Sequence, residues 1–224
     1  MTELRAAPLA NAGRLFGAAL VRVVYSASAV HAGRMPRTGS VIVVSNHTGF
    51  LDGPVIFCLS PRTVRFLVKH TYFTSAWGAV LSRTGQIPIR QNTGDRVALA
   101  AAKDLLGQGG ALGVFPEGTR GSGSVRDAQQ GAAWLALQSG APVIPVATLG
   151  TWRAGGTKDS WPLPRARVRV VFGEPFHVET DPDVTGRERL RLATALIRER
   201  LATHVLESLA ETGMTLPVGE RDAA

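Results

Sequence analysis

The sequence predicts an α/β domain built on a mixed, mostly parallel sheet flanked by helices. Three observations carry that reading. From residue 41 onward, short β-branched and apolar runs alternate with longer amphipathic or alanine-rich stretches, the pattern of strands joined by crossover helices. The 224 residues are 45% hydrophobic and 19% charged, enough apolar material for one ordinary core and too much for a disordered chain. A single cysteine, Cys58, excludes an internal disulfide framework and a multi-cysteine zinc site, so the fold must rest on burial.

The elements follow in order. Residues 1–35 read as an N-terminal amphipathic helical segment. Phe16, Leu20, Val23 and Ala27 recur at helical spacing with Val24 and Val30 beside them, and Asn11, Arg14 and Arg22 fall on the other side. Such a helix either packs its apolar side on a core or lies in a membrane interface with its arginines toward lipid phosphates. Residues 1–40 hold five arginines against Glu3 alone, which favours the interface. Residues 36–213 read as the main domain and 214–224 as a flexible tail. Within the domain, residues 41–44 read as a buried strand, 63–68 as a second, 74–82 as a helix and 86–89 as a short extended piece. Residues 95–106 read as an alanine-rich helix stopped by Gly107, Gly109 and Gly110, and 111–115 as a strand. A helix over 127–138 ends at Gly140, and a strand follows over 143–147. Residues 167–172 alternate basic and apolar side chains, as an edge or half-exposed strand does. A long charged helix over 186–209 closes the domain.

Lys and Arg number 25 against 17 Asp and Glu, a net charge of +8. Such a surface attracts anions: nucleic acid, anionic lipid, or phosphorylated substrates and carriers. No nucleic-acid motif accompanies the charge, and no aromatic residues interleave with a basic run, so nucleic acid is not an expected partner. The best spanning candidate, residues 15–30, is interrupted by Arg22 and falls short of about 18 uncharged apolar residues. It also lacks the shape of a cleaved signal.

Chemistry concentrates in two heptapeptides, each directly after a strand, where α/β sheets usually build their sites. The first is Asn46-His47-Thr48-Gly49-Phe50-Leu51-Asp52. If Gly49 eases a turn, the Asp52 carboxylate can take the Nδ1 proton of His47, fix its tautomer and leave Nε2 as a base for a substrate hydroxyl. Two such residues five apart are otherwise commonly unrelated. Cys58, among Ile56, Phe57 and Leu59, reads as an inert core thiol. The second heptapeptide is Val114-Phe115-Pro116-Glu117-Gly118-Thr119-Arg120. Pro116 ends the strand, Gly118 admits close approach of a ligand, Thr119 offers a hydroxyl and an N–H, and Arg120 a phosphate-matching fork. Taken alone it also reads as an ordinary strand-to-loop turn with a solvated arginine. Trp152 and Trp161, with Arg153 and Lys158 between them, read either as an interfacial rim or as a loop held on the core by its tryptophans.

Together the two heptapeptides resemble the N-H-x-x-x-x-D and F-P-E-G-T-R blocks of the 1-acyl-glycerol-3-phosphate acyltransferase family, in the same order and with similar separation. Gly85-Gln86-Ile87-Pro88-Ile89 resembles that family's second block and Val143-Ile144-Pro145-Val146 its fourth. The resemblance covers residues 40–150. It implies a glycerolipid acyltransferase-like fold and O-acyl transfer from a thioester of CoA or acyl carrier protein to a lysophospholipid hydroxyl, with 1-acyl-glycerol-3-phosphate the leading acceptor. It implies His47 as general base and Asp52 as its orienting partner. Glu117, Gly118, Thr119 and Arg120, with Gly85 and Arg90 of the second block, would bind the phosphorylated acceptor. It implies no metal and no resident cofactor, and a peripheral or monotopic location on the cytoplasmic face of a membrane. Two departures stand out. Gln91 occupies a position where the family usually has arginine, so that Arg90 either supplies the contact or the contact is lost. Gln129 and Gln130 stand where basic residues are common. The alternatives are a lipid-binding protein of the same fold without turnover, acylation of another lysolipid or alcohol, and a thioesterase using water.

Overall fold

A computed structural model describes residues 8–90, 95–157, 159–179, 181 and 183–217. Among these, the strands are β1 (Ser26–Val30), β2 (Val41–Ser45), β3 (Val64–Lys69), β4 (Ile87–Ile89), β5 (Ala111–Val114), β6 (Val143–Leu149) and β7 (Arg167–Phe172). They form one seven-stranded sheet in the order β1-β7-β6-β2-β5-β3-β4. Every neighbouring pair is parallel except β6 with β7. The helices are α1 (Pro8–Val24), α2 (Asp52–Leu59), α3 (Gly78–Arg83), α4 (Arg96–Gly107), α5 (Gly131–Ser139) and α6 (Gly186–Thr212). The sheet is thus mixed and mostly parallel, as the sequence predicts.

Strand β2 shows why the sheet is covered on both faces. Val41 and Val43 join the cluster of Val55, Ile56, Val168 and Val170 on the α1–α2 side. Ile42 and Val44 join Leu105, Leu112, Leu135, Ile197 and Leu201 on the side of α4, α5 and α6. Alternate side chains leave a strand on opposite faces, so a strand buried on both reads as a continuous apolar run. All five residues of β2 and all seven of β6 are buried. Each fully buried aliphatic side chain contributes roughly 1.5–3 kcal/mol of transfer free energy.

Three expectations are corrected and one helix is added. The N-terminal helix ends at Val24, and Ser26–Val30 is a strand paired in parallel with β7. The β-branched and small residues after Tyr25 fit the sheet, and Ala27, assigned to the helical stripe by spacing, belongs to β1. In consequence β7 is no edge: it lies between β1 and β6. The helix expected over 127–138 begins only at Gly131, because Gln129 is tied back by its N–H to the Pro116 carbonyl at 2.7 Å. Helix α2 escaped the sequence reading. Its Pro54 lies in the first turn, where the missing N–H costs no intrahelical bond.

The packing of α1 leaves most of its apolar stripe facing outward, as an interfacial helix would have it, while Arg14 and Asn11 turn toward the protein. Phe16, Leu20 and Val23 point away from the protein, 74%, 52% and 81% exposed. The side that meets the protein carries Ala10, Arg14, Gly17 and Ala18, with Val21 and Val24 packed against the core beside them. Arg14 donates to the Ser60 carbonyl at 2.8 Å, and Asn11 accepts from the Thr63 hydroxyl at 3.1 Å. A Cβ on Gly17 would stand 2.5 Å from the Cys58 sulfur, so the small residues are what let α1 lie so close to α2. Cys58 is buried there, and desolvation raises its thiol pKa to about 11, in keeping with an inert core thiol. At the other end, Met214 and Leu216 pack against the core, so the described start of the expected tail is seated. The rest of it, 218–224, lies outside the described residues.

Candidate active site

Three strands that are neighbours in the sheet, β5, β2 and β6, send their following loops to one place. Where β2 ends, Asn46 replaces the sheet ladder: its Nδ2 donates to the Thr148 carbonyl at 3.1 Å, and its Oδ1 accepts the Thr148 N–H at 2.8 Å. The chain then turns at His47-Thr48-Gly49. Gly49 is required by closeness, since a Cβ there would stand 2.5 Å from the backbone oxygen of Thr151.

The turn brings Asp52, the first residue of α2, under His47. The His47 Nδ1–H donates to Asp52 Oδ2 at 2.8 Å. The same oxygen accepts the N–H groups of Thr48 at 2.7 Å and Gly49 at 2.9 Å, and Oδ1 accepts the Thr151 hydroxyl. Asp52 is wholly buried, and these four donors compensate its charge. With Nδ1 spent on the carboxylate, Nε2 of the neutral ring carries the lone pair. The His47 side chain keeps 19% exposure and stacks on Phe115, ring centroids 4.0 Å apart and 15° from parallel.

The loop after β5 grips the same histidine by its backbone. Glu117 Oε1 accepts the His47 N–H at 2.8 Å, and the Gly121 N–H donates to the His47 carbonyl at 2.8 Å. Burial pushes the Glu117 carboxyl up to about 7. The N–H groups of His47 and Val125 oppose that shift, and the nearby Asp52 charge adds to it. Gly118 turns the chain at φ +70°, with the Gln129 side chain lying where a Cβ would go. The Gln129 departure therefore has a structural use: it braces the turn. Arg120 pairs through Nη1 with the Asp159 carboxylate and donates through Nη2 to the Tyr72 hydroxyl at 3.2 Å. Thr119 is exposed.

The sequence-predicted residues thus divide. His47, Asp52 and Glu117 are in mutual contact or one residue removed, with Gly118, Thr119 and Arg120 continuing the same loop. Gly85 and Arg90 sit at opposite ends of the β4 segment and are held by other partners. Gly85, at φ +73°, turns the chain beside the buried Arg65 guanidinium. The Arg90 N–H donates to Asp95 Oδ2 at 2.9 Å, which with other N–H donors lowers the Asp95 pKa. Gln91 and Lys158 lie outside the described residues. Trp161 is half exposed and stacks on Phe50 at 6.1 Å, and Phe50 in turn meets Tyr72 at 6.0 Å. The sequence reading passed over Phe115 as a ring platform, and over Tyr72, Thr151 and Asp159 altogether. Phe115 lies inside the second heptapeptide; the other three carry no local signal. Among the described residues, no cluster of three or more His, Cys, Asp or Glu is arranged to hold a metal ion.

A strand-end histidine braced by a buried aspartate, beside a glycine-arginine loop on an α/β sheet, is an arrangement suited to moving an acyl group onto a hydroxyl. The chain belongs to the Acyltransferase family, whose family model matches residues 28–149. It is 25% identical over 170 residues to the 1-acyl-sn-glycerol-3-phosphate acyltransferase of Bacillus subtilis, covering 75% of this chain and 82% of that one. It is 28% identical over 159 residues to a chloroplastic enzyme of the same description from Arabidopsis thaliana, covering 69% of this chain and 44% of the plant protein. Its fold matches the crystal structure of the 1-acyl-sn-glycerophosphate acyltransferase PlsC from Thermotoga maritima. The TM-score is 0.68 at 24% identity, over 90% of this chain and 80% of that one.

Proposed function

We propose that this acyltransferase moves a fatty acyl group from a thioester to the free hydroxyl of a lysophospholipid, with 1-acyl-glycerol-3-phosphate as the acceptor and phosphatidic acid as the product. The observation that carries the reading is the double grip on His47: the Asp52 carboxylate on its ring and the Glu117–Gly121 loop on its backbone. His47 Nε2 takes the hydroxyl proton as the oxygen bonds to the thioester carbonyl carbon. Collapse of the tetrahedral intermediate breaks the carbon–sulfur bond, and the proton passes from His47 to the departing thiolate, so the products are an ester and a free thiol. Asp52 stabilises the imidazolium formed between these steps. Arg120 meets the acceptor phosphate, which takes the place Asp159 holds on the guanidinium. Holding both substrates together supplies a large part of the rate.

The exposed stripe of Phe16, Leu20 and Val23 on α1, with Leu15 beside it, supports a peripheral attachment to a lipid surface, where such acceptors reside. Among the described residues no helix is long and apolar enough to cross a membrane.

The test is mass spectrometry of the products formed from a panel of lysolipids with acyl-CoA and acyl carrier protein donors. Phosphatidic acid should form with release of free thiol, and His47→Ala, folded by circular dichroism, should abolish it. Normal turnover by folded His47→Ala would end the reading, and release of free fatty acid in place of ester would turn it to hydrolysis.

A further inference from the structure

Beyond the two residues of the His47–Asp52 pair, the wall behind them is itself a chain of hydroxyls. Thr151 lies two residues past the end of β6, outside both heptapeptides and the 85–89 and 143–146 blocks, and is wholly buried. Its hydroxyl oxygen is 3.1 Å from that of Thr48, and it also bonds Asp52 Oδ1. An ionised carboxylate only accepts, so Thr151 must donate to Asp52, and the Thr48 hydroxyl must then donate to Thr151. The direction of the whole relay is fixed by the charge at its end.

We propose that Thr151 is a positioning residue for acyl transfer: it holds the second oxygen of the Asp52 carboxylate, so that the first stays aimed at His47 Nδ1. The inference rests on the acyl-transfer reading and deepens it. Three donors share Oδ2, and Thr151 serves Oδ1, so its bond is what stops the carboxylate turning about its Cβ–Cγ axis. The site is built for this contact. Ser45 meets Thr148 hydroxyl to hydroxyl at 3.0 Å, Asn46 clasps the Thr148 backbone, and the bare Gly49 lets the Thr151 carbonyl close in. Because Asp52 has no exposure, water does not replace the hydroxyl at Oδ1 when it is lost. Among the described residues, the ionisable groups facing Asp52 are His47, from its own turn, and Glu117, from the loop after β5. A carboxylate deprived of a donor is least tolerable beside a neutral ring, so protonation of His47 becomes easier.

The test compares the full chain with Thr151→Val, Thr151→Ser and Thr151→Cys, reading kcat and KM for both substrates against pH, and the His47 imidazole titration by NMR. Valine keeps the shape without the donor. Its kcat should fall roughly ten- to a hundredfold, the range expected for a lost hydrogen bond to a charged group. KM for either substrate should stay within about twofold, and the acid limb of kcat should move to higher pH together with the His47 titration. Serine should restore kcat to within about threefold of the wild type, and cysteine, a weak donor, should fall between serine and valine. A Thr151→Val enzyme with near-normal kcat and an unmoved acid limb overturns the proposal, as does a serine variant as impaired as the valine one. If Thr151→Val does not fold, Thr151→Cys decides: a reduced kcat with a raised His47 titration supports the role, and wild-type behaviour overturns it. If the wild type transfers no acyl group to any acceptor, the functional reading fails separately. The His47 titration in Thr151→Val then decides alone, an upward shift supporting the role and no shift overturning it.

Discussion

Replacing Glu117 by glutamine should remove a pH dependence of stability that lies between an ordinary glutamate value of 4.5 and about 7. In the folded protein the Glu117 carboxyl is taken out of water between the two loops, and burial favours its neutral form. Its folded pKa therefore lies above its unfolded one. Below about pH 4.5 both states carry the proton and the burial costs little. As pH rises through the window the unfolded chain ionises first, so the folded state binds more protons and stability falls. Above about 7 both states are ionised, and the full penalty is present. At about 1.4 kcal/mol for each tenfold difference in proton affinity, the interval corresponds to about 3 kcal/mol.

Glutamine keeps a carbonyl oxygen to accept the His47 N–H and has no proton to lose. Urea unfolding of the wild type and Glu117→Gln, from about pH 4 to about pH 8, isolates the effect, because every other group titrates in both. The stability of the wild type relative to the variant should decline by about 3 kcal/mol across that range. A difference that is flat with pH, or that rises with it, would show that Glu117 is not held neutral by burial, and the argument for its place between the loops would fail.

Asp159→Asn should lower KM for a phosphate-bearing acceptor by roughly 1.4- to fivefold with kcat unchanged, since exposed ion pairs are worth about 0.2–1 kcal/mol and the substrate would no longer displace this one. Steady-state kinetics with the acceptor varied checks it, and an unchanged or raised KM counts against Arg120 as the phosphate ligand. Phe16→Ser with Val23→Ser should change unfolding free energy by less than about 0.5 kcal/mol, because both side chains already face outward. The same pair should weaken co-sedimentation with anionic vesicles, and undiminished vesicle binding would remove α1 from any membrane contact.

Much of the sheet was legible because parallel strands buried on both faces leave an uninterrupted apolar signature, as in β2, β5 and β6. The same logic explains what was missed. Ser26–Val30 is short, small and partly exposed, and it continues an apolar periodicity begun by α1, so nothing local marks the change from helix to strand. The helical wheel of α1 identified a genuine apolar stripe and favoured a lipid surface for it over the core; which side meets the protein depends on the fit of Gly17 against Cys58, a tertiary fact. In the site, His47, Asp52 and Glu117 were visible because each sits in a compact motif. Thr151 and Asp159 were not, because their partners are 99 and 39 residues away.

Those distances along the chain matter less than the pairing of strands. Strands β2 and β5 are paired in parallel with Val44 opposite Val114, so each chain, three residues later, arrives at the same level with His47 and Glu117. That register is why a carboxylate 70 residues away accepts the histidine N–H. On the other side Ser45 pairs with Val146, which brings Thr148 and then Thr151 past the end of β6 onto Asn46, Thr48 and Asp52. A slip of one residue in either pairing would send a strand's side chains to the opposite face, each into the wrong core, and separate these groups together, so the two apolar cores above and below the sheet resist it. The chemistry of the two heptapeptides is therefore secured by residues with no chemistry of their own. Val41, Ile42, Val43 and Val44 fix the register, and through it the position of the His47 ring.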